Sequence, residues 1–369
     1  MHEFTADSII RMMPCRVWRC YTGGAMLDAF VGNADPQDTH LPEDWLASTV
    51  QALNGPNTQS ATEGLARTQL DDGTPGPFLY ELIASAPETY LGRGGAPALD
   101  VLCKFLDSAV RLPIQCHPDR AFARENYHSE HGKTESWLIL GTREINGETP
   151  HLLMGFRPGI RPEDFAAAVE AQDIPALVGM LHSIPARAGD AYIIPGRFPH
   201  AIGPGVFMLE VQEPSDWVVQ PEAYCAGFPL SPNDMWGPIT PTVALDCFDY
   251  TGETEEQVLA RTLLQPICRL ATDGGGVETI VGPTATDCFS VELLTVATTL
   301  TIPCDTPYHI EIVTAGAGTL RTGEQSVEVK RGEVFFIPHG VAEIHYTATT
   351  APLTIYRCSG AAITTPMPQ

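Results

Sequence analysis

Four residues in one short stretch supply the first recognisable chemistry in this sequence: Gln115, His117, Lys133 and Glu135, all within residues 111–140. The stretch reads as one strand, a turn and a second strand. Successive side chains of a strand alternate faces, so Gln115 and His117 point one way together, and Lys133 and Glu135 share a face in the same manner. An amide oxygen, an imidazole and a carboxylate converging from neighbouring strands are three of the four ligands of a borderline divalent metal such as zinc, an open position marking a catalytic site. A further histidine completes the protein set. The best place to seek it is residues 189–202, where a strand entered by Gly189-Asp190 stops at Pro195-Gly196 and resumes so that His200 faces inward. Lys133, two residues from Glu135, either carries protons beside the metal or holds Glu135 in place.

The elements that position these groups are mostly strands. Residues 101–106 have β character and lead into the metal stretch; residues 141–148 read as a hairpin turning at Asn146-Gly147. An alanine-rich helix starts at Arg161-Pro162 and runs to about Ala171, and residues 174–181 form another. Strands return at 191–194 and 206–211. Between about Pro36 and Pro97 the texture changes: Pro42 followed by Glu43 and Asp44 looks like a helix start, with a stop at Asn54-Gly55-Pro56 and a second short helix near 87–91. Residues 57–76 are loop-rich and form either a mobile loop or a lid over the site. Gly332 to Pro338 repeats the pattern of Gly189 to Pro195, which implies two related β-barrels. Five residues past each proline stand His200 in the first copy and Glu343 in the second, and no Gln-x-His pair precedes the second. The second barrel is therefore expected to be metal-free, His309, Glu311 and His345 being the alternative ligands considered there.

The 369 residues are enough for two or three domains. Lys plus Arg number 21 against 45 Asp plus Glu, a net charge of 21 − 45 = −24, which argues against a nucleic-acid surface. A few local cations still suffice for an anionic sugar phosphate. No apolar run approaches a membrane span, and the polar start lacks a signal-peptide core. The ten cysteines are scattered with no Cys-x-x-Cys pair, as expected of reduced thiols in a cytoplasmic protein. Oligomeric state is not legible.

Three motifs in order, Ile114-Gln115-x-His117-Pro118-Asp119, Gly132-Lys133-Thr134-Glu135 with Trp137 beyond, and Gly189-Asp190-x-x-x-Ile194-Pro195-Gly196 with Pro199-His200-Ala201-Ile202, resemble the class I mannose-6-phosphate isomerase family of zinc-dependent cupins. The resemblance implies a mainly β fold of two cupin (jelly-roll) β-barrels with a helical insertion. Residues 1–35 and 98–240 would form the metal-binding catalytic cupin, 36–97 a mostly helical insertion, and 241–369 a C-terminal metal-free cupin. It implies Gln115, His117, Glu135 and His200 as ligands of Zn²⁺, although nickel, cobalt or manganese would suit the same N and O donors. It also implies that Trp18 in the N-terminal Trp/Gly-Gly segment packs beside the site, and that Asp216 is an active-site residue. Glu213 follows the same strand and is a candidate to line the pocket.

The chain departs from the family at Gln220, where the family carries an arginine implicated in catalysis. A neutral amide does not replace a permanent charge at a developing oxyanion. Arg197 is the nearest substitute in sequence, with Arg16, Arg19, Arg111 and Arg120 as others. Three functions follow. The first is isomerisation of mannose 6-phosphate and fructose 6-phosphate through an enediol, with Lys133 and Asp216 moving protons. The second is the same chemistry on a different or unphosphorylated sugar, and the third a sugar-binding or regulatory cupin with little turnover.

Overall fold

The computed structural model describes residues 4–5, 7–92, 97–304 and 306–360. Residues 1–3 and 6 of the polar start, four residues of the expected insertion, and residue 305 and the last nine of those assigned to the second barrel lie outside the described residues. The first half carries β1 (Ile10–Arg11), β2 (Arg16–Val17), β3 (Glu43–Leu46), β4 (Arg67–Gln69), β5 (Pro75–Phe78) and β6 (Leu102–Ser108). It continues with β7 (Glu135–Thr142), β8 (His151–Phe156), β9 (Leu181–Pro185), β10 (Ala191–Ile194), β11 (His200–Ile202) and β12 (Val206–Gln212). One sheet runs β10-β7-β12-β6-β3-β2 and a second β11-β8-β9. Between them lies a core of Leu106, Trp137, Ile139, Leu152, Met154, Ile202 and Met208.

The opposite face of the larger sheet is also covered. Phe105, Leu138, Leu209 and Val211 pack in one core with Val291, Ile310 and Phe336 of the second barrel. This double burial explains why β6 and β12 are buried along their whole lengths, polar residues included.

A short hairpin of β13 (Tyr224–Cys225) and β14 (Phe228–Pro229) precedes the second barrel. That barrel contains β15 (Ile267–Thr272), β16 (Gly275–Val281), β17 (Phe289–Val296), β18 (Thr299–Pro303), β19 (His309–Thr322), β20 (Gln325–Lys330), β21 (Val334–Ile337) and β22 (Glu343–Gly360). Its path is β1-β21-β19-β22-β17-β16-β15, with β18 on β22 and β20 on β19. The long β19 and β22 bend where their register shifts between Val313 and Gly318. Gly316 sits there at φ 75°, and a Cβ on it would meet Pro352 O at 2.4 Å, so the bend requires glycine. The sequence repeat is real in space: β10 and β21 each run antiparallel to a strand with a buried acid, Ile194 facing Glu135 and Ile337 facing His309.

Several sequence expectations are corrected. Residues 111–140 are not strand, turn, strand, because a helix spans Arg120–Tyr127 between the two halves. Asp119 caps it, its carboxylate accepting from Phe122 N at 2.7 Å, so Pro118-Asp119 marks a helix start rather than a turn. The helix expected after Pro42 is β3, paired with β2 and β6. Its acids and proline imitate a helix start, but Glu43 and Asp44 are buried partners of neighbouring strands. The stretch 36–97 thus contributes a strand to the first barrel and a β4/β5 hairpin, and its helices among the described residues are a 3₁₀ turn at Gly55–Asn57 and two short α-helices, Leu79–Ser85 and Pro87–Leu91. β1 pairs with β21, so the N-terminal segment serves both barrels. The second helix of the 161–181 region ends at Gly179, and Leu181 begins β9. The turn at Asn146-Gly147 has the expected positive φ angles of 53° and 82°.

Candidate metal centre and cavity

Strand register builds the site. Facing the first core, β7 presents Glu135 and Trp137, β12 presents Glu210 opposite Trp137, β6 presents Lys104 opposite Glu210, and β3 presents Glu43 diagonal to Lys104. Cross-strand neighbours of this kind lie within side-chain reach. Lys104 Nζ is 3.2 Å from Glu210 and 3.9 Å from Glu43. Two Glu-x-Trp pairs repeat the same local device: Trp137 Nε1 donates to Glu135 at 3.0 Å, and Trp45 Nε1 to Glu43 at 2.7 Å.

His117, Glu135 and His200 meet at one end of this row, with one potential ligand atom from each lying within 4.8 Å of the others. Among the described residues this is the one such grouping of His, Cys, Asp and Glu. His117 Nε2 is 3.0 Å from Glu135, and His200 Nε2 4.0 Å from it. Each ring is oriented from behind, His117 Nδ1 on Trp217 O and His200 Nδ1 on Phe198 O, both at 2.8 Å. A carbonyl accepts only from N–H, so both Nε2 atoms present lone pairs to the centre, the tautomer of metal-ligating histidine. His200 Nε2 is buried without a hydrogen-bond partner. An orphaned acceptor aimed at a second imidazole and a carboxylate fits a divalent cation. Gln115 pairs through its backbone with His200, and its side chain lines the adjoining cavity. Lys133 Nζ lies 3.1 Å from Glu135 and 3.4 Å from His117 Nε2.

Burial and these neighbours shift the protonation equilibria. Burial, reinforced by His117, pushes the His200 imidazole down to about 3, and burial also lowers His117. Burial alone would raise Glu135, but His117 and Lys133 hold it well below the usual carboxylate range. Glu210 goes the other way, pushed up to about 8 by burial and by Glu135 against the pull of Lys104. Burial likewise opposes ionisation of Glu43, yet Arg19 and Lys104 bring it down to about 2.

These shifts predict acid sensitivity of the chelator-treated protein. An unfolded chain takes up the His200 proton near 6.5 while the folded one refuses it to about 3, so protons favour unfolding across that window. Glu43 acts with the same sign from 4.5 down to about 2. Glu210, raised to about 8, acts with the opposite sign between 8 and 4.5 and offsets His200 there, so urea midpoints measured in chelator should fall most steeply below about pH 4.5; a midpoint unchanged between pH 4.5 and pH 3 would contradict this assignment.

The centre opens into a cavity of about 590 Å³ lined by, among others, Trp18, Arg19, Gln115, Lys133, Glu135 and Asp216. Trp18 stacks on His40 at 5.5 Å and meets Phe228 edge-on at 5.4 Å, forming an apolar wall. Asn57 and Thr58 of the expected loop line the mouth. Gln220 lines it too, its Nε2 donating to Asp234 O at 2.9 Å. Two expected residues are elsewhere. Arg197, in a left-handed turn at φ 70°, donates to Cys247 O at 3.2 Å and Asp246 O at 2.9 Å, away from the cavity. Glu213 is held by Arg120 at 2.8 Å and by Thr134 N at 3.0 Å, bracing the turn before β7.

Sequence reasoning passed over Glu43, Lys104 and Glu210 and named Arg19 only among several arginines. A signal existed for two of them: Lys104 and Glu210 each stand between apolar neighbours in the sequence, and a buried charge needs a partner. In the second barrel, Glu311 takes His309 at 3.2 Å and Arg357 at 3.3 Å, while His345 stands outside this group with Glu343 at 3.1 Å and Thr301 at 2.8 Å.

Fold and site together define a two-barrel cupin protein with a buried His-Glu-His centre of metal-binding type. Residues 280–355 match the cupin domain of mannose-6-phosphate isomerase. A mannose-6-phosphate isomerase of Streptococcus mutans is 34% identical over 138 residues, 37% of this chain and 40% of that protein. One from Bacillus subtilis is 24% identical over 250 residues, 66% of this chain and 70% of that protein. The chain thus spans about 40% of the length of the first of these relatives. The solved mannose 6-phosphate isomerase of Bacillus subtilis superposes with a TM-score of 0.74 at 21% identity, over 95% of this chain and 99% of that one. A variant of phosphomannose isomerase from Salmonella typhimurium does so at 0.68 and 18%, over 96% of this chain and 100% of that one. In fold, and over part of its length in sequence, the chain is similar to mannose-6-phosphate isomerases.

Proposed function

We propose that this chain is a metal-dependent aldose–ketose isomerase interconverting mannose 6-phosphate and fructose 6-phosphate. The observation that carries the reading is the His117–Glu135–His200 centre opening onto a cavity that also holds Lys133, Lys104 and Glu210. His117, Glu135 and His200, with the Gln115 amide, would hold the ion, Zn²⁺ being the first choice for N and O donors. When bound, the ion supplies Lewis acidity without redox chemistry.

The chain's own residues then handle protons. The reaction moves a hydrogen between two adjacent carbons and a proton between their oxygens, with no net oxidant or reductant. Lys133, ammonium toward the cavity, gives and takes a proton at a substrate oxygen beside the centre. Glu210, raised to about 8, carries a proton at neutral pH that a carboxylic acid normally lacks, with Lys104 at 3.2 Å to balance its charge when that proton leaves. Asp216 and Trp18 shape the cavity around the sugar. The domain division is part of the same proposal: the first barrel does the chemistry, and the second braces its sheet.

One observation favours a second reading, isomerisation of an unphosphorylated aldose. The cations among the cavity-lining residues, Arg19, Lys104 and Lys133, each already face a carboxylate. One experiment separates the two: fructose 6-phosphate formation from mannose 6-phosphate by metal-loaded protein, beside free mannose and other aldoses, with a chelator-treated control. Metal-dependent turnover preferring the phosphate is expected. Preference for a free aldose selects the second reading, and sugar binding without turnover rejects both.

A further inference from the structure

Asp216 reaches into the cavity from the turn after β12, and two groups fix it. Leu53 N donates to its Oδ2 at 3.0 Å, and the Arg19 guanidinium approaches both oxygens at 3.3 to 3.5 Å. Gln220, four residues on, does not contribute, since its amide is committed to Asp234 O. Arg19 is itself pinned at three other points. Its Nε donates to Glu43 at 3.0 Å, its Nη1 to Asn54 at 2.9 Å, and its guanidinium lies over the Trp45 ring at 5.1 Å. A planar fork held on three sides presents its remaining N–H groups in a fixed direction, which a lysine does not reproduce. Its side chain is 12% exposed, so the Asp216 contact is shielded from bulk water and retains more of its strength than a surface pair.

We propose that Arg19 is the positioning residue for Asp216 in this chain, supplying from the N-terminal segment the fixed guanidinium that Gln220 does not provide. The carboxylate is thereby held in one rotamer facing the substrate space, and the mouth segment at Leu53 and Asn54 is tied to the same point. This rests on the isomerase reading above.

The test is a double-mutant cycle on the metal-loaded full chain with Arg19→Lys, Asp216→Asn and the pair, following kcat, KM, bound metal and circular dichroism. Wild-type activity on the sugar it prefers is measured first. Its absence would count against the isomerase reading, whereas the remaining outcomes concern Arg19 alone. Arg19→Lys is expected to lower kcat by about tenfold to a hundredfold, the range for losing a residue that orients a functional group, with KM moved less than about threefold and metal retained. In the Asp216→Asn background the same change should cost almost nothing, because its partner is already gone. Equal losses in both backgrounds, or an unchanged kcat in Arg19→Lys, would overturn the proposal. Should Arg19→Lys fold poorly, Arg19→Gln is run through the same cycle; loss of fold in both variants would also overturn it, assigning Arg19 to the scaffold.

Discussion

Lys133→Met protein is expected to keep its metal and its fold while kcat falls by a factor of about 10² to 10⁴, the usual contribution of a positioned proton-transfer group. Methionine nearly matches lysine in length and is content in an apolar site, so the packing around a residue only 5% exposed changes little. What disappears is the ammonium 3.1 Å from Glu135. Glu135 still has Trp137 Nε1 and His117 to orient it, and a bound divalent ion would take over the charge balance. Metal analysis of the purified variant beside its kcat separates the two roles open to this lysine. Turnover near wild type removes it from the chemistry, and loss of metal together with activity makes it a support for Glu135.

The second large effect concerns stability. Arg357→Met is expected to cost about 3–5 kcal/mol, because removing one partner of a buried pair strands the other's charge. Glu311 is fully buried, and Arg357 Nη2 approaches it at 3.3 Å and donates to Tyr346 Oη at 2.7 Å. Replacing both charged residues, as Glu311→Leu with Arg357→Met, should recover most of the loss, since an apolar pair of similar volume leaves no orphaned charge. Urea midpoints of the single and double variants give the comparison. A single variant as stable as wild type would show that the pair is no more than tolerated. The first-barrel centre lies elsewhere, so metal binding by folded protein should be unchanged in both.

The centre was legible from its ligand types and motif order rather than from strand periodicity: Gln115, His117 and Lys133 lie outside the named strands, while Glu135 opens β7 and His200 opens β11. Mistaking the Arg120–Tyr127 helix for a turn therefore left the candidate ligand set intact. His200 was legible because it sits where a strand resumes after Pro195-Gly196. β3 was not. Four residues of which two are acids, following a proline, carry no β signal of their own, and only tertiary partners make them a strand. Arg197 and Glu213 were misplaced because proximity along the chain says nothing about side-chain direction once a left-handed turn or an arginine partner intervenes. The long-range pairing of Arg19 with Asp216 has no local signature at all.

The pairing of Ile10 with Phe336 also sets a timetable. Synthesis delivers β1 first and its partner strand almost last, so on the ribosome β1 must wait for nearly the whole chain before it can dock. Contacts so distant in sequence form late and slow folding. β2 and Arg19, a few residues further on, dock instead on β3, Glu43 and Asn54. The opening segment is therefore divided between an early partner and a late one: its second part can settle on the first barrel while β1 waits for the far end of the chain to fold.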